Sequence, residues 1–230
     1  MKFKFLGYGY DGVILYPAFS NHVTEVNKYV TKIGMKEQIE NEKYIYDNLP
    51  NEFNNRIYNN ECYISTFNNN NKLLNNNCLT GVKSRLIYYD RQITIRLFNG
   101  KNLAKILHDD SKITKPQIYN LFKKMIFLYK CMKKLNSKYN IFHRDITQNN
   151  ILYNPEKDEI RIIDFVQSQK YPTGQFPDFL PNKDLSDTIN VINAIIEFIT
   201  KTKNYMIMSP IKNLNELIIN MKYIKTELLN

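Results

Sequence analysis

The chain has 230 residues, 27.4 kDa and 43% hydrophobic content, enough for one sizeable core or two small ones, which excludes a disordered segment. No apolar run approaches the ~20 residues that span a bilayer, and the start MKFKFLGYG lacks a signal peptide's apolar stretch and cleavage site, so the expectation is a cytoplasmic protein without a membrane partner. A net charge of +10 suits nucleic acid or an acidic substrate, but abundant lysine, asparagine, isoleucine and tyrosine with no tryptophan is the mark of AT-biased coding, which leaves nucleic acid the weakest partner considered.

In chain order, Lys2 to Leu6 and Val13 to Tyr16 read as strands flanking a glycine turn. Three of the chain's 7 glycines, Gly7, Gly9 and Gly12, fall within six positions, and Phe5 to Val13 fits the pattern G-x-G-x-x-G-x-V. Glycines let a hairpin backbone approach phosphate oxygens without interference from Cβ. The same spacing marks dinucleotide sites, but those need a helix directly after the glycines, whereas Val13-Ile14-Leu15-Tyr16 continues as strand and breaks at Pro17. Gly7, Gly9, Gly12 and Val13 are therefore candidate nucleotide-binding residues.

A third strand is expected over Lys28 to Ile33, where Lys32 is chosen over Lys28 and Lys36 as the phosphate-facing cation. Met35 to Leu49 reads as a helix with apolar residues at Ile39, Ile45 and Leu49. It carries Glu42 as the candidate partner of Lys32, with Glu40 as the alternative, otherwise a solvated charge pairing with Lys36 or Lys43. Strand candidates at Cys62 to Phe67, Leu86 to Tyr89 and Ile93 to Leu97 complete a small sheet, and the asparagine runs at 68–71 and 75–77 read as an exposed loop. Cys62, Cys78 and Cys131 fit neither a disulfide frame nor a zinc site and read as reduced, while His22 and His108 read as isolated surface residues. Pro116 opens the longest helix, to about Ser137, whose lysines form a solvated face opposite an apolar stripe from Ile118 to Leu135.

The densest chemistry lies in Ile141 to Val166. His143-Arg144-Asp145 is followed five residues after the Asp by Asn150, and the hairpin Ile151–Tyr153 to Ile160–Ile163 then delivers Asp164-Phe165. A phosphoryl group in transfer carries charge on its peripheral oxygens, so its enzyme needs metal at the phosphates and a group that orients the attacking hydroxyl. Asp145 can accept that hydroxyl's proton. The amide oxygen of Asn150 and the carboxylate of Asp164 are hard ligands suited to Mg²⁺.

These two ordered motifs match H-R-D-x-x-x-x-N and D-F-G, with Val166 where Gly is usual. With the glycine turn and the strand lysine, they make the chain resemble the eukaryotic-type protein kinase superfamily. Within it the chain is most similar to the compact, diverged serine/threonine-type kinases of large cytoplasmic DNA viruses, which would place it in host cytoplasm or virion. The resemblance implies an α+β, bilobal protein-kinase-like fold with a small β-rich N lobe, residues 1–97, and a mainly helical, abbreviated C lobe, residues 98–230. ATP and Mg²⁺ would lie between the lobes, and the γ-phosphate would pass to a serine or threonine hydroxyl of a protein. It further implies that Lys32 orients ATP, Glu42 holds Lys32, Asp145 is catalytic, Asn150 and Asp164 bind metal, and the backbone of Arg96, Leu97 and Phe98 serves as a hinge for adenine.

Beyond Asp164, residues 167–183 contain Pro172, Pro177 and Pro181, no evident helix and no A-P-E. Asp184 or Asp187 opens a hydrophobic helix over Ile189 to Ile199, and the resemblance gives one of them the task of bracing the catalytic loop. Ile211 to Leu229 reads as one or two last helices. Thr147 stands where serine/threonine kinases carry Lys. Thr147, Val166, the missing A-P-E and the short C lobe keep two alternatives open, a pseudokinase scaffold without turnover and an atypical RIO-like or small-molecule kinase.

Overall fold

The computed structural model describes residues 4–9, 12–18, 23–67, 86–108 and 113–202. Expectations for Lys2 and Phe3, His22, Cys78, the asparagine runs and Ile211 to Leu229 lie outside them. The fold is α+β and divides into two compact units, residues 1–98 with 164–170, and residues 99–163 with 171–230. The division differs from the expected cut after residue 97, because Asp164–Lys170 groups with the N-terminal unit rather than with the C-terminal part of the chain.

The first unit is built on a five-stranded antiparallel sheet of order β1-β2-β3-β5-β4, with β1 Lys4–Gly9, β2 Gly12–Tyr16, β3 Tyr29–Gly34, β4 Cys62–Thr66 and β5 Arg91–Arg96. Its one long described helix, α1 Lys36–Asn48, lies against β3, β4 and β5. Ile39 and Ile45 of α1 are completely buried there, as the helical period requires. The register fixes the faces of the sheet, because directly opposed residues in an antiparallel pair point the same way. Lys32 opposes Ile14 and Ile93, and Ile93 opposes Ile64, so these four share one face, while Val13, Ile33, Leu15 and Thr31 share the other.

Leu86 to Tyr89 is not a strand. Ile87 and Tyr88 form a turn, and the carbonyl of Leu86 accepts the amide of Tyr89 at 3.3 Å. Leu86 and Tyr89 are buried while Ile87 and Tyr88 are exposed, a spacing of three that a turn satisfies and a strand cannot.

In the second unit, β6 Lys101–Asn102 pairs with β8 Ile151–Asn154, which forms a hairpin with β9 Glu159–Ile162. The helices are α2 Leu103–His108, α3 Lys115–Tyr139 and α4 Leu180–Thr202, and between α3 and the hairpin lies the short strand β7 Ile141–Phe142. A capping box starts α3, the Thr114 hydroxyl accepting from the Gln117 amide and the Gln117 side chain answering the Thr114 amide. Asn140 in the left-handed region ends it. Helix α3 packs along α4. Helix α4 begins at Leu180, well before the expected start at Asp184 or Asp187. Pro181 does not prevent this, since a first-turn residue needs no amide for the helix ladder.

Candidate functional site

In the first unit, Lys32 projects from β3 into a carboxylate pair. Its Nζ lies 2.9 Å from Glu42 Oε2 and 2.5 Å from Asp164 Oδ1. Glu42 is buried on α1, and its second oxygen accepts the amide of Phe165 at 3.3 Å. Burial alone would lower the Lys32 ammonium, but the two carboxylates outweigh it and hold the amine above its ordinary value. Burial pushes Glu42 upward, partly opposed by Lys32 and by the Phe165 amide. The lysine is therefore charged at neutral pH. The alternatives weighed in the sequence lie elsewhere. Lys28 makes an exposed pair with Glu25, and Glu40 reaches Arg91 at 3.5 Å from an exposed position, not Lys36 or Lys43.

Asp164 adopts left-handed backbone angles, φ 68° and ψ 69°, and opens a 3-10 turn, Phe165–Gln167. Val166, in place of the usual Gly, lies inside that turn and not at positive φ, so a β-branched side chain fits. Phe165 is buried, edge-on to Tyr46 at 5.2 Å and to Tyr58 at 6.3 Å. Sequence reasoning did not single out Asn41, whose amide nitrogen donates to the carbonyls of Val166 at 2.8 Å and Ser168 at 3.0 Å.

The glycine turn ends β1 at Gly9, which opposes Gly12. Gly12 has φ +149°, and a Cβ there would meet the carbonyl oxygen of Ile33 at 2.5 Å. The close approach of β3 is thus sufficient reason for this glycine. Around Gly7 a Cβ would meet nothing within 4 Å. Val13 requires correction. Counted residue by residue, the pattern's terminal valine falls on Ile14, and the register agrees, since Ile14 shares the Lys32 face while Val13 is wholly buried on the opposite one.

Of the expected adenine-binding backbone, Leu97 has its amide committed, donating to the carbonyl of Lys28 at 2.8 Å as an extension of the β3–β5 ladder. It cannot also donate to a base. The Arg96 side chain, at the end of β5, pairs with Glu61 just before β4 at 2.9 Å. Phe98 ends the 1–98 segment of the first unit.

In the second unit, Asp145 and Asn150 are brought together. Asn150 Nδ2 donates to Asp145 Oδ2 at 2.7 Å and to the Asp145 carbonyl at 3.0 Å. With its nitrogen so committed, the amide oxygen Oδ1 remains as a candidate cation ligand. The backbone beneath this pair is held by Asp184, fully buried on α4, whose two oxygens accept the amides of His143 and Arg144, each at 2.7 Å. Asp187 instead pairs with Lys183 at the surface. His143 is also buried. Its Nε2 lies 3.1 Å from the carbonyl of Ile163 and its Nδ1 accepts the Asp145 amide at 3.3 Å, which sets the proton on Nε2. Arg144 sits at φ 69° with its side chain exposed.

Asn136 was missed in the sequence. With its amide nitrogen turned toward them, it reaches Ile141 O at 2.9 Å, Met132 O at 3.2 Å and Asp184 Oδ2 at 3.3 Å. A polar residue four places after Met132, inside the apolar stripe of α3, was the available signal.

No group of three or more His, Cys, Asp or Glu side chains among the described residues is arranged to hold a metal, and no helix among them is long and apolar enough to cross a membrane. A magnesium site of one carboxylate, one amide oxygen and substrate phosphates needs no such cluster. Neither a protein-family model nor a curated protein sequence matches the chain.

Proposed function

We propose that the chain is a phosphotransferase of the protein-kinase type, carrying the γ-phosphoryl group of ATP to a serine or threonine hydroxyl of a protein. The observation that carries the reading is the Lys32 ammonium held between Glu42 and Asp164, residues 132 positions apart in the case of Lys32 and Asp164. A buried lysine kept charged by two carboxylates suits the α- and β-phosphates of a nucleotide. Each unit offers one hard-oxygen candidate ligand, the Asp164 carboxylate in the first and the Asn150 amide oxygen in the second, and the resemblance implies that these would hold Mg²⁺. When bound, ATP supplies the phosphoryl group and Mg²⁺ the counter-charge for its oxygens. Asp145, oriented by Asn150, accepts the proton of the attacking hydroxyl. Ile14 replaces Val13 as the apolar residue on the nucleotide side.

A second reading, a nucleotide-binding scaffold without turnover, is favoured by Thr147, exposed and uncharged where a phosphate-facing lysine is expected. Incubation with labelled ATP, Mg²⁺ and a mixed protein extract separates the two. Transfer by the wild type that is lost in Asp145→Asn, with ATP binding retained, supports the phosphotransferase. Wild type and Asp145→Asn behaving alike refutes it.

A further inference from the structure

Asp164 occupies a left-handed backbone conformation, which costs an Asp less than most non-glycine residues but is uncommon and is here held by contacts on both sides of the turn. The enforcing contacts come from consecutive turns of one helix. Glu42 takes the Phe165 amide, Tyr46 packs on the Phe165 ring, and Asn48 accepts the Lys170 ammonium at 2.8 Å. Asn41 reaches two carbonyls of the turn at once, using its two amide protons on Val166 O and Ser168 O. The Ser168 amide closes the loop onto Phe165 O at 3.0 Å. Val166 contributes by exclusion, since a β-branched residue lacks the positive-φ alternatives open to glycine.

We infer that Asn41 is a positioning residue for phosphoryl transfer, clamping the 164–168 turn to α1 so that the Asp164 carboxylate is presented in one orientation. The inference rests on the phosphotransferase reading. It makes no contact between Asn41 and nucleotide or metal, and it separates Asn41 from its neighbour Glu42, which acts on Lys32 itself. An amide is needed here because two carbonyls must be met by two donors from one side chain. Aspartate has the same shape and no donor.

Two measurements on Asn41→Ala and Asn41→Asp test this. In nucleotide-free protein, hydrogen exchange at the Phe165 and Ser168 amides should quicken about tenfold, as for loss of hydrogen bonds of ordinary strength, while the amides of Ile39 and Ile45 in α1 keep their wild-type rates. In the turnover assay, the Mg²⁺ concentration for half-maximal rate should rise about tenfold, with the KM for ATP at saturating Mg²⁺ changing less than about twofold. Asn41→Gln, which retains both donors, should recover part of each effect. Unchanged exchange at Phe165 and Ser168, or faster exchange along all of α1 with no change in Mg²⁺ dependence, overturns the clamp. A wild type that turns over ATP beside an indifferent Asn41→Ala refutes this inference alone. A wild type with no Mg²⁺-dependent turnover refutes the phosphotransferase reading and the catalytic meaning of Asn41 with it.

Discussion

Lys32 Nζ stands 2.5 Å from Asp164 Oδ1, and the same ammonium stands 2.9 Å from Glu42 Oε2. Glu42 is almost completely buried, so removing its cation leaves a charge that neither water nor another base partner can compensate. Lys32→Met should cost about 3 kcal/mol, the usual result of breaking a buried pair. Replacing both partners, in Lys32→Met with Glu42→Leu, should recover at least about half, because the stranded carboxylate is gone. Urea unfolding of the three proteins measures this. A single substitution costing under about 1 kcal/mol would mean that Glu42 is neutral without its lysine.

Gly7 and Gly12 part company on substitution, although the sequence presents them as one motif. Gly12→Ala drives a methyl group against the Ile33 carbonyl and should destabilise by about 1–3 kcal/mol. Gly7→Ala meets nothing and should leave stability within about 0.5 kcal/mol, while weakening ATP binding if phosphates pass the turn. Thermal unfolding with parallel nucleotide titration gives both readings. Equal stability losses at the two positions would contradict the geometry.

Lys32 was legible because the alternating strand Lys28 to Ile33 resembles the lysine strand of protein kinases, and Glu42 because the helix after it carries that family's glutamate pattern. The β8–β9 hairpin was equally plain from its apolar runs. Choosing between Asp184 and Asp187 was out of reach, since Pro177 and Pro181 hid the true start of α4 and with it which Asp faces inward. Val13 stands one residue before the pattern's valine position, an offset the residue count itself exposes, and in a strand one residue inverts the side chain, as the pairing of Val13 with Ile33 shows. Asn41 was invisible for another reason. Its bonds run to backbone carbonyls 125 and 127 residues away, and carbonyls carry no sequence signal.

Cys62 is buried against α1, and burial pushes its thiol up to about 12, with Lys43 opposing only in part. At pH 8 its thiolate fraction is then about one in ten thousand, far below that of a free cysteine. In a Cys78→Ser background, both Cys62 and Cys131 should resist a disulfide reagent at pH 8 and react together once urea unfolds the chain. Because the native pKa is the higher one, this thiol's contribution to stability is intact below the unfolded value of about 8.5 and is lost as pH climbs toward 12. Rapid labelling of Cys62 in the folded protein would count against its burial.

Asp184 accepts the amides of His143 and Arg144, each at 2.7 Å, so Asp184→Ala takes that acceptor from both, the His143 amide in a buried place. The expected loss is about 2–4 kcal/mol in urea unfolding, with Asp187→Ala, which breaks only a surface pair, within about 0.5 kcal/mol of wild type. Asp184→Asn should fall between, since one oxygen still accepts while the new amide nitrogen faces a donor. The pH dependence carries a sign. Burial holds the Asp184 carboxyl above its ordinary value, against the pull of His143 and the two amides. A group raised in the native state stabilises most when protonated and loses that contribution as pH rises through its native pKa. Asp184→Asn cannot titrate, so the stability gap between it and wild type should be widest in acid and narrow toward neutrality. A gap that widens with pH would show that the amides and His143 outweigh burial, and that the ionised carboxylate is the form the fold prefers.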